Sequence, residues 1–196
     1  MPESAPQASK DASAEATRRD FLVYATVATA GLGAALACWP FIDFMNPSAD
    51  VLATSTTDVD LAPMTVGQRI TVRWRGRPVF VARRTPKEIQ EAEDIKVADL
   101  RDPQTDAERV VTPEWLVVIG ICTHLGCIPL GQKPTDPRGE WGGWFCPCHG
   151  SVYDTSARIR RGPAPLNLYV PHYQFVDVHT LRIGAKGGPK AASRSM

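Results

Sequence analysis

The chain has 196 residues, with 22 Lys or Arg against 21 Asp or Glu and a formal net charge of +1, which argues against a protein that holds nucleic acid by bulk electrostatics. That length accommodates one domain of ordinary size plus an appendage. Seventeen prolines and 15 glycines favour a loop-rich β protein over a helical bundle.

Residues 1–20 read as a polar tail, rich in Ala, Ser and Glu at its start and without apolar periodicity. From Phe21 to Ile42 run 22 residues without a charge. As a helix they reach roughly 33 Å, enough for a hydrocarbon core of about 30 Å, and residues 21–44 are predicted to form one transmembrane helix. The bland alternatives are a buried core helix or a cleaved signal peptide, but the stretch exceeds a usual signal h-region. Its many Ala, Gly and Thr residues suit helix contacts inside a membrane complex. Lys10, Arg18 and Arg19 precede the span, and no Lys or Arg follows until Arg69. By the positive-inside rule the N-terminus is cytoplasmic and the C-terminal part lies on the opposite side, which for a bacterial inner membrane is the periplasm. The run Thr17-Arg18-Arg19-Asp20-Phe21-Leu22 resembles a twin-arginine export signal. That route carries folded proteins, and a domain that acquires a metal centre before export needs it.

Residues 45–62 begin with Met45-Asn46-Pro47 and continue small and polar, as expected of a flexible tether. Residues 63–185 read as a compact all-β head of antiparallel sheets with a short helical insertion. Ile70, Val72 and Trp74 alternate with polar neighbours, a turn is expected at Gly76-Arg77, and Pro78 to Val81 returns. Thr85-Pro86-Lys87-Glu88 is a capping box with proline at the first helical position. Trp115 to Ile121 is a continuous apolar strand that runs into Cys122, and Tyr173 to Val178 with Thr180 to Ile183 reads as a closing hairpin. Residues 186–196 are expected to be a frayed tail.

Two segments carry chemistry: Cys122-Thr123-His124-Leu125-Gly126-Cys127 and Cys146-Pro147-Cys148-His149-Gly150-Ser151, with 18 residues between Cys127 and Cys146. Structural zinc sites prefer C-x2-4-C and H-x3-5-H pairs, which are absent. A plant-type ferredoxin needs four cysteines at C-x4-C-x2-C spacing, also absent. Two plain disulfides leave both histidines unexplained. The remaining reading gives Cys122 and Cys146 to one iron and His124 and His149 to another, with Cys127 and Cys148 left over and free to pair. Cys148 and His149 are adjacent and cannot easily both turn inward, whereas Cys146 and His149 can do so across a tight turn. His172 and His179 read as surface residues.

These two segments resemble those of the Rieske proteins, specifically the iron–sulfur subunits of quinol–cytochrome c reductases, the respiratory complex III. The resemblance extends to the twin-arginine start, the single anchor, the Trp39-Pro40 and Met45-Asn46-Pro47 regions and the Gly162-Pro163-Ala164-Pro165 loop. It implies one [2Fe–2S] cluster with Cys122, His124, Cys146 and His149 as ligands and a Cys127–Cys148 disulfide. It also implies that Ser151 donates a hydrogen bond to a bridging sulfide, that Tyr153 donates to the sulfur of Cys122, and that the Gly-Pro-Ala-Pro loop covers the cluster. His149 is expected to hydrogen-bond ubiquinol, and Leu125 to pack at the surface that docks on cytochrome b. The head is expected to swing to a c-type cytochrome and pass the electron on, within a dimeric complex. The loop from Gln132 to Trp141 is a few residues longer than the family pattern. A rival reading is the Rieske subunit of a periplasmic arsenite-type oxidase, against which the tether and the Asn-Pro ending of the anchor argue. A soluble ferredoxin of a ring dioxygenase lacks both the extra cysteines and the anchor.

Overall fold

A computed structural model describes residues 17–53 and 55–193. The expected tail over residues 1–20 lies mostly outside the described residues, as do residues 194–196. The chain divides into two units, one ending at Ala49 and one starting at Asp50.

In the first unit Arg18–Asp43 forms helix α1. Thr17 caps it. Its hydroxyl accepts from Asp20 N–H, and the Asp20 carboxylate accepts from Thr17 N–H at 3.0 Å, which closes a capping box. The 26 residues include an 18-residue window of mean hydropathy 1.8, and none is buried. Thr26 and Thr29 donate their hydroxyls back to Leu22 O and Ala25 O, which satisfies both threonine protons within the apolar helix. The helix is long and apolar enough to cross a membrane. It begins three residues before the expected anchor because the cap, not the apolar stretch, sets its start.

A short helix α2, Ala49–Ala53, follows. The tether expected to reach residue 62 ends earlier, since Thr57–Asp60 is strand β1. It pairs antiparallel with strand β9 (Thr180–Ile183), which also pairs with strand β8 (Tyr173–Phe175). Val59 is the buried residue of β1, and Asp58 makes a two-pronged ion pair with Arg182 at 2.7 Å. A four-residue strand with one apolar side chain carries too little periodicity to stand out from a linker. The frayed tail needs the same correction. Ala191 and Ala192 are buried, and Ala191 N–H donates to Glu108 O at 2.7 Å.

A second sheet joins β2 (Arg69–Trp74), β3 (Arg77–Arg83) and β4 (Trp115–Ile119) in that order. The β2–β3 turn is Arg75-Gly76, one residue before the expected place, with Trp74 opposite Arg77. All five residues of β4 are buried, and it stops two residues short of the predicted strand. Helix α3, Pro86–Glu93, starts on the predicted capping box, with Thr85 N–H bonded to Glu88 and Glu88 N–H to the Thr85 hydroxyl. A third sheet, β5 (Gly142–Cys146), β6 (Ser151–Asp154) and β7 (Ile159–Arg161), carries the second cysteine segment.

The core is apolar around Val79, Phe80, Leu116, Val117, Trp144 and Tyr153, but it also holds ions. Arg84, Arg109 and Arg158 are buried together with Asp102, Asp106 and Asp154. Arg84 grips Asp106 with two bonds of 2.7 and 2.9 Å, and Arg158 meets Asp154 at 2.8 Å. Burial pulls the Arg109 guanidinium down to about 10, so it stays charged at neutral pH. It donates to Ser156 O, Leu168 O and Gln104. Three cations against three anions leave this interior balanced, the condition under which buried ions are tolerated.

Candidate metal centre

The two cysteine segments are built alike. In the first, Gly126 N–H donates to Cys122 O at 3.0 Å; in the second, Gly150 N–H donates to Cys146 O at 3.0 Å. Both glycines sit in the left-handed region, at φ 82° and 75°, where a side chain is strained. Each segment is therefore one tight turn of the form Cys-x-x-x-Gly that places a cysteine at its root and a histidine near its tip. The first turn follows β4 by way of Gly120-Ile121. The second joins β5 to β6, with Cys146 opposite Ser151. The Leu130–Phe145 bridge links the exit of the first turn to the strand that enters the second.

The turns face one another. His124 Nδ1 lies 3.2 Å from His149 Nδ1, with the rings edge-on at 88°. Cys122 and Cys146 are free thiols, both 2 % exposed. Burial pushes the Cys146 thiol up, and the neighbouring Cys122 adds to that. A thiol so raised ionises only if a cationic centre compensates it. Cys127 and Cys148 are joined in a disulfide between the turns. The sulfurs of Cys127, Cys146 and Cys148 lie within 4.8 Å of one another, but the disulfide occupies two of the three, so that trio is not a ligand set. What remains is two buried sulfurs and two converging ring nitrogens, the donor set of a cluster in which histidines replace two cysteines on one iron. The residues fit the group.

Around these four lies a polar shell. Tyr153, fully buried on β6, donates its hydroxyl to Cys122 Sγ at 3.3 Å. Burial holds this phenol well above its ordinary range, so it remains a donor. Ser151 Oγ accepts from Ala164 N–H at 3.2 Å, which ties the second turn to the Gly162-Pro163-Ala164-Pro165 loop. Thr123 ties the first turn to the same loop, donating to Leu166 O at 2.6 Å. Gly162, at φ 101°, admits no side chain, since a Cβ there would stand 2.4 Å from Ser151 Cα. Leu125 and Ile128 are exposed at 70 % and 57 %. Outside the centre, His172 and His179 are exposed. In the Gln132–Trp141 loop, Gln132 donates to Ile70 O, and Asp136 accepts from Gly131 and Lys133 N–H. Sequence reasoning missed Thr123, Arg101 and Asp102 in this shell, because they act on carbonyls and amides about 40 to 65 positions away.

A β head with two paired Cys/His turns, a disulfide between them and a proline-rich loop bonded to the second turn defines a Rieske-type iron–sulfur protein. Residues 60–174 match the family described as "Rieske [2Fe-2S] domain", and residues 8–48 match "Ubiquitinol-cytochrome C reductase Fe-S subunit TAT signal". The "Ubiquinol-cytochrome c reductase iron-sulfur subunit" of Rhodospirillum rubrum is 62 % identical over 170 residues, covering 87 % of this chain and 93 % of the relative. The protein of the same name from Blastochloris viridis is 56 % identical over 175 residues, covering 88 % and 95 %. The "Cytochrome b-c1 complex subunit Rieske, mitochondrial" of Neurospora crassa is 52 % identical over 164 residues, covering 84 % and 69 %. The chain belongs to the Rieske iron–sulfur subunits of the ubiquinol–cytochrome c reductases. Its cofactor is a [2Fe–2S] cluster, and it serves the respiratory complex III; the arsenite-oxidase alternative is not favoured.

Proposed function

We propose that Cys122 and Cys146 hold one iron of the cluster and that His124 and His149 hold the other through Nδ1. The observation that carries this is the approach of the two Nδ1 atoms to 3.2 Å beside two buried free cysteines. With imidazoles in place of two thiolates, such a cluster when bound supplies one-electron acceptance at a raised potential. The chain's residues do the rest. With Nδ1 turned inward, His149 presents Nε2 at an exposed edge. That atom accepts the hydrogen bond of a ubiquinol hydroxyl and takes its proton. Leu125, next to His124, lays its exposed side chain on cytochrome b and excludes water from that contact. Tyr153 and Ser151 hold donors toward the sulfur side of the centre, and the disulfide keeps the two turns in register.

The head then leaves cytochrome b and meets a c-type cytochrome, within a dimeric complex. The short stretch between α1 and β1, with the five-residue helix α2 in it, supports that movement. The twin arginines before α1 and the absence of Lys or Arg from Phe21 to Gln68 support a cytoplasmic N-terminus and a periplasmic head. Substitution Leu125→Gln tests the docking step. A surface change of this kind leaves the fold within about 0.5 kcal/mol. Losing the burial of one leucine, about 1.5–3 kcal/mol, weakens docking roughly ten- to a hundredfold. Quinol oxidation by the intact complex should slow accordingly while the cluster's spectrum and potential stay unchanged. A wild-type rate would overturn the docking role.

A further inference from the structure

The proline-rich loop is held from a side the ligand motifs do not reveal. Pro163 and Pro165 have no N–H, so the donor between them is Ala164 N–H, which goes to Ser151 Oγ at 3.2 Å. A serine hydroxyl has one proton and two lone pairs. With a lone pair taken by Ala164, the proton of Ser151 is left to point elsewhere, and Ser151 stands opposite Cys146 across the β5–β6 pair. The direction of that proton depends on where the Ala164 peptide is fixed. Arg101 fixes it: one guanidinium nitrogen, Nη1, donates to Gly162 O at 2.5 Å and to Ala164 O at 2.7 Å. These carbonyls belong to the peptide units on either side of the Pro163–Ala164 unit that carries Ala164 N–H. The neighbouring Asp102 secures the loop farther along, accepting from Asn167 N–H and Asn167 Nδ2 at 3.0 Å each.

We propose that Arg101 is a positioning residue of the redox centre, which holds the Gly162–Ala164 carbonyls so that Ala164 N–H orients the Ser151 hydroxyl toward the sulfur side of the cluster. This rests on the reading of Ser151 as a donor to the cluster. Nothing in the local sequence Arg101-Asp102-Pro103-Gln104 distinguishes it from an ordinary polar turn; the contact across 61 and 63 positions does.

Four variants of the intact complex test the proposal: Ser151→Ala, Arg101→Ala, Arg101→Lys and the double variant Arg101→Ala/Ser151→Ala. The readouts are the midpoint potential, the EPR g-values of the reduced cluster, and hydrogen exchange of the segment spanning residues 162–168. Ser151→Ala should lower the potential. Arg101→Ala should lower it by part of that shift and speed exchange of the segment, with the cluster retained. The double variant should match Ser151→Ala, because once the hydroxyl is gone its orientation no longer matters. Arg101→Lys should restore part of the potential, since an ammonium reaches one carbonyl but does not span two as the planar guanidinium does. If Arg101→Ala does not assemble, Arg101→Lys carries the comparison on the same readouts. If Ser151→Ala lowers the potential but the Arg101 substitutions leave it unchanged, or if the two effects add, the positioning role is overturned. If Ser151→Ala itself leaves the potential unchanged, the donor reading on which the proposal rests is what fails.

Discussion

Removing one hydroxyl, by Tyr153→Phe, probes the centre with the least collateral change. The ring is fully buried and keeps its packing, and what disappears is the 3.3 Å donation to Cys122 Sγ. A hydrogen bond to a charged acceptor contributes about 1.5–3 kcal/mol, and 1.4 kcal/mol corresponds to about 59 mV for a one-electron couple. Only the difference between the oxidised and reduced states enters the potential, so roughly 60–130 mV is the upper bound. The sign follows from charge: reduction puts more negative charge on the sulfurs, a donor favours that state, and its loss lowers the potential. A redox titration of the isolated complex followed by EPR should therefore show a lower midpoint with full cluster content. Quinol oxidation should slow with it, because driving force is lost. An unchanged midpoint in a fully loaded variant would refute the reasoning, since the bond would then not discriminate between redox states.

Replacing both Cys127 and Cys148 by serine leaves the four proposed ligands but removes a link across 21 positions, worth about 3 kcal/mol in the loop-entropy account; cluster content measured after warming should fall below wild type. Arg84→Ala strands Asp106 in the interior and should cost about 3–5 kcal/mol of stability, read from thermal unfolding of the complex. Burial raises the Asp106 carboxyl, but the bonds from Arg84 and Ser156 outweigh it and hold the group below its usual range. Its contribution is thus fully present above about pH 4 and disappears as pH falls through the depressed folded value, so the wild-type midpoint of unfolding should drop there and that of Arg84→Ala less. Ala53→Pro, at the last residue of α2, with Ser55→Pro fixes φ at two positions of the segment between α1 and β1; reduction of the c-type cytochrome should slow with the cluster spectrum unaltered, and a wild-type rate would remove the mobile-head mechanism.

The features legible in the sequence are those with local chemistry. Thr85 and Glu88 spell a helix start within four residues, Ile70-Val72-Trp74 alternate as a half-buried strand must, and Trp115 to Ile119 can only be interior. The paired Cys-x-x-x-Gly turns belong to the same class, since each glycine serves a left-handed position inside its own turn. What escaped depends on partners far along the chain. Strand β1 looks like linker because Val59 is its one buried side chain. The tail beyond Lys186 is placed by Glu108 and not by its own pattern. The buried arginines and aspartates are ordinary charged residues until Arg84 meets Asp106 and Arg109 meets Ser156 O. Arg101 escaped for the same reason.

In the proposed centre two cysteine sulfurs and two histidine nitrogens, both of the latter Nδ1, hold the cluster. The chain contains four histidines, so incorporation of histidine labelled with 15N at Nδ1, followed by pulsed EPR of the reduced cluster in the intact complex, addresses that claim directly. Two strongly coupled 15N nuclei should appear, and the coupling should vanish together with the cluster signal when His124 or His149 is replaced. A cluster signal with fewer than two such nitrogens, or one that survives with both couplings intact in either variant, would contradict it.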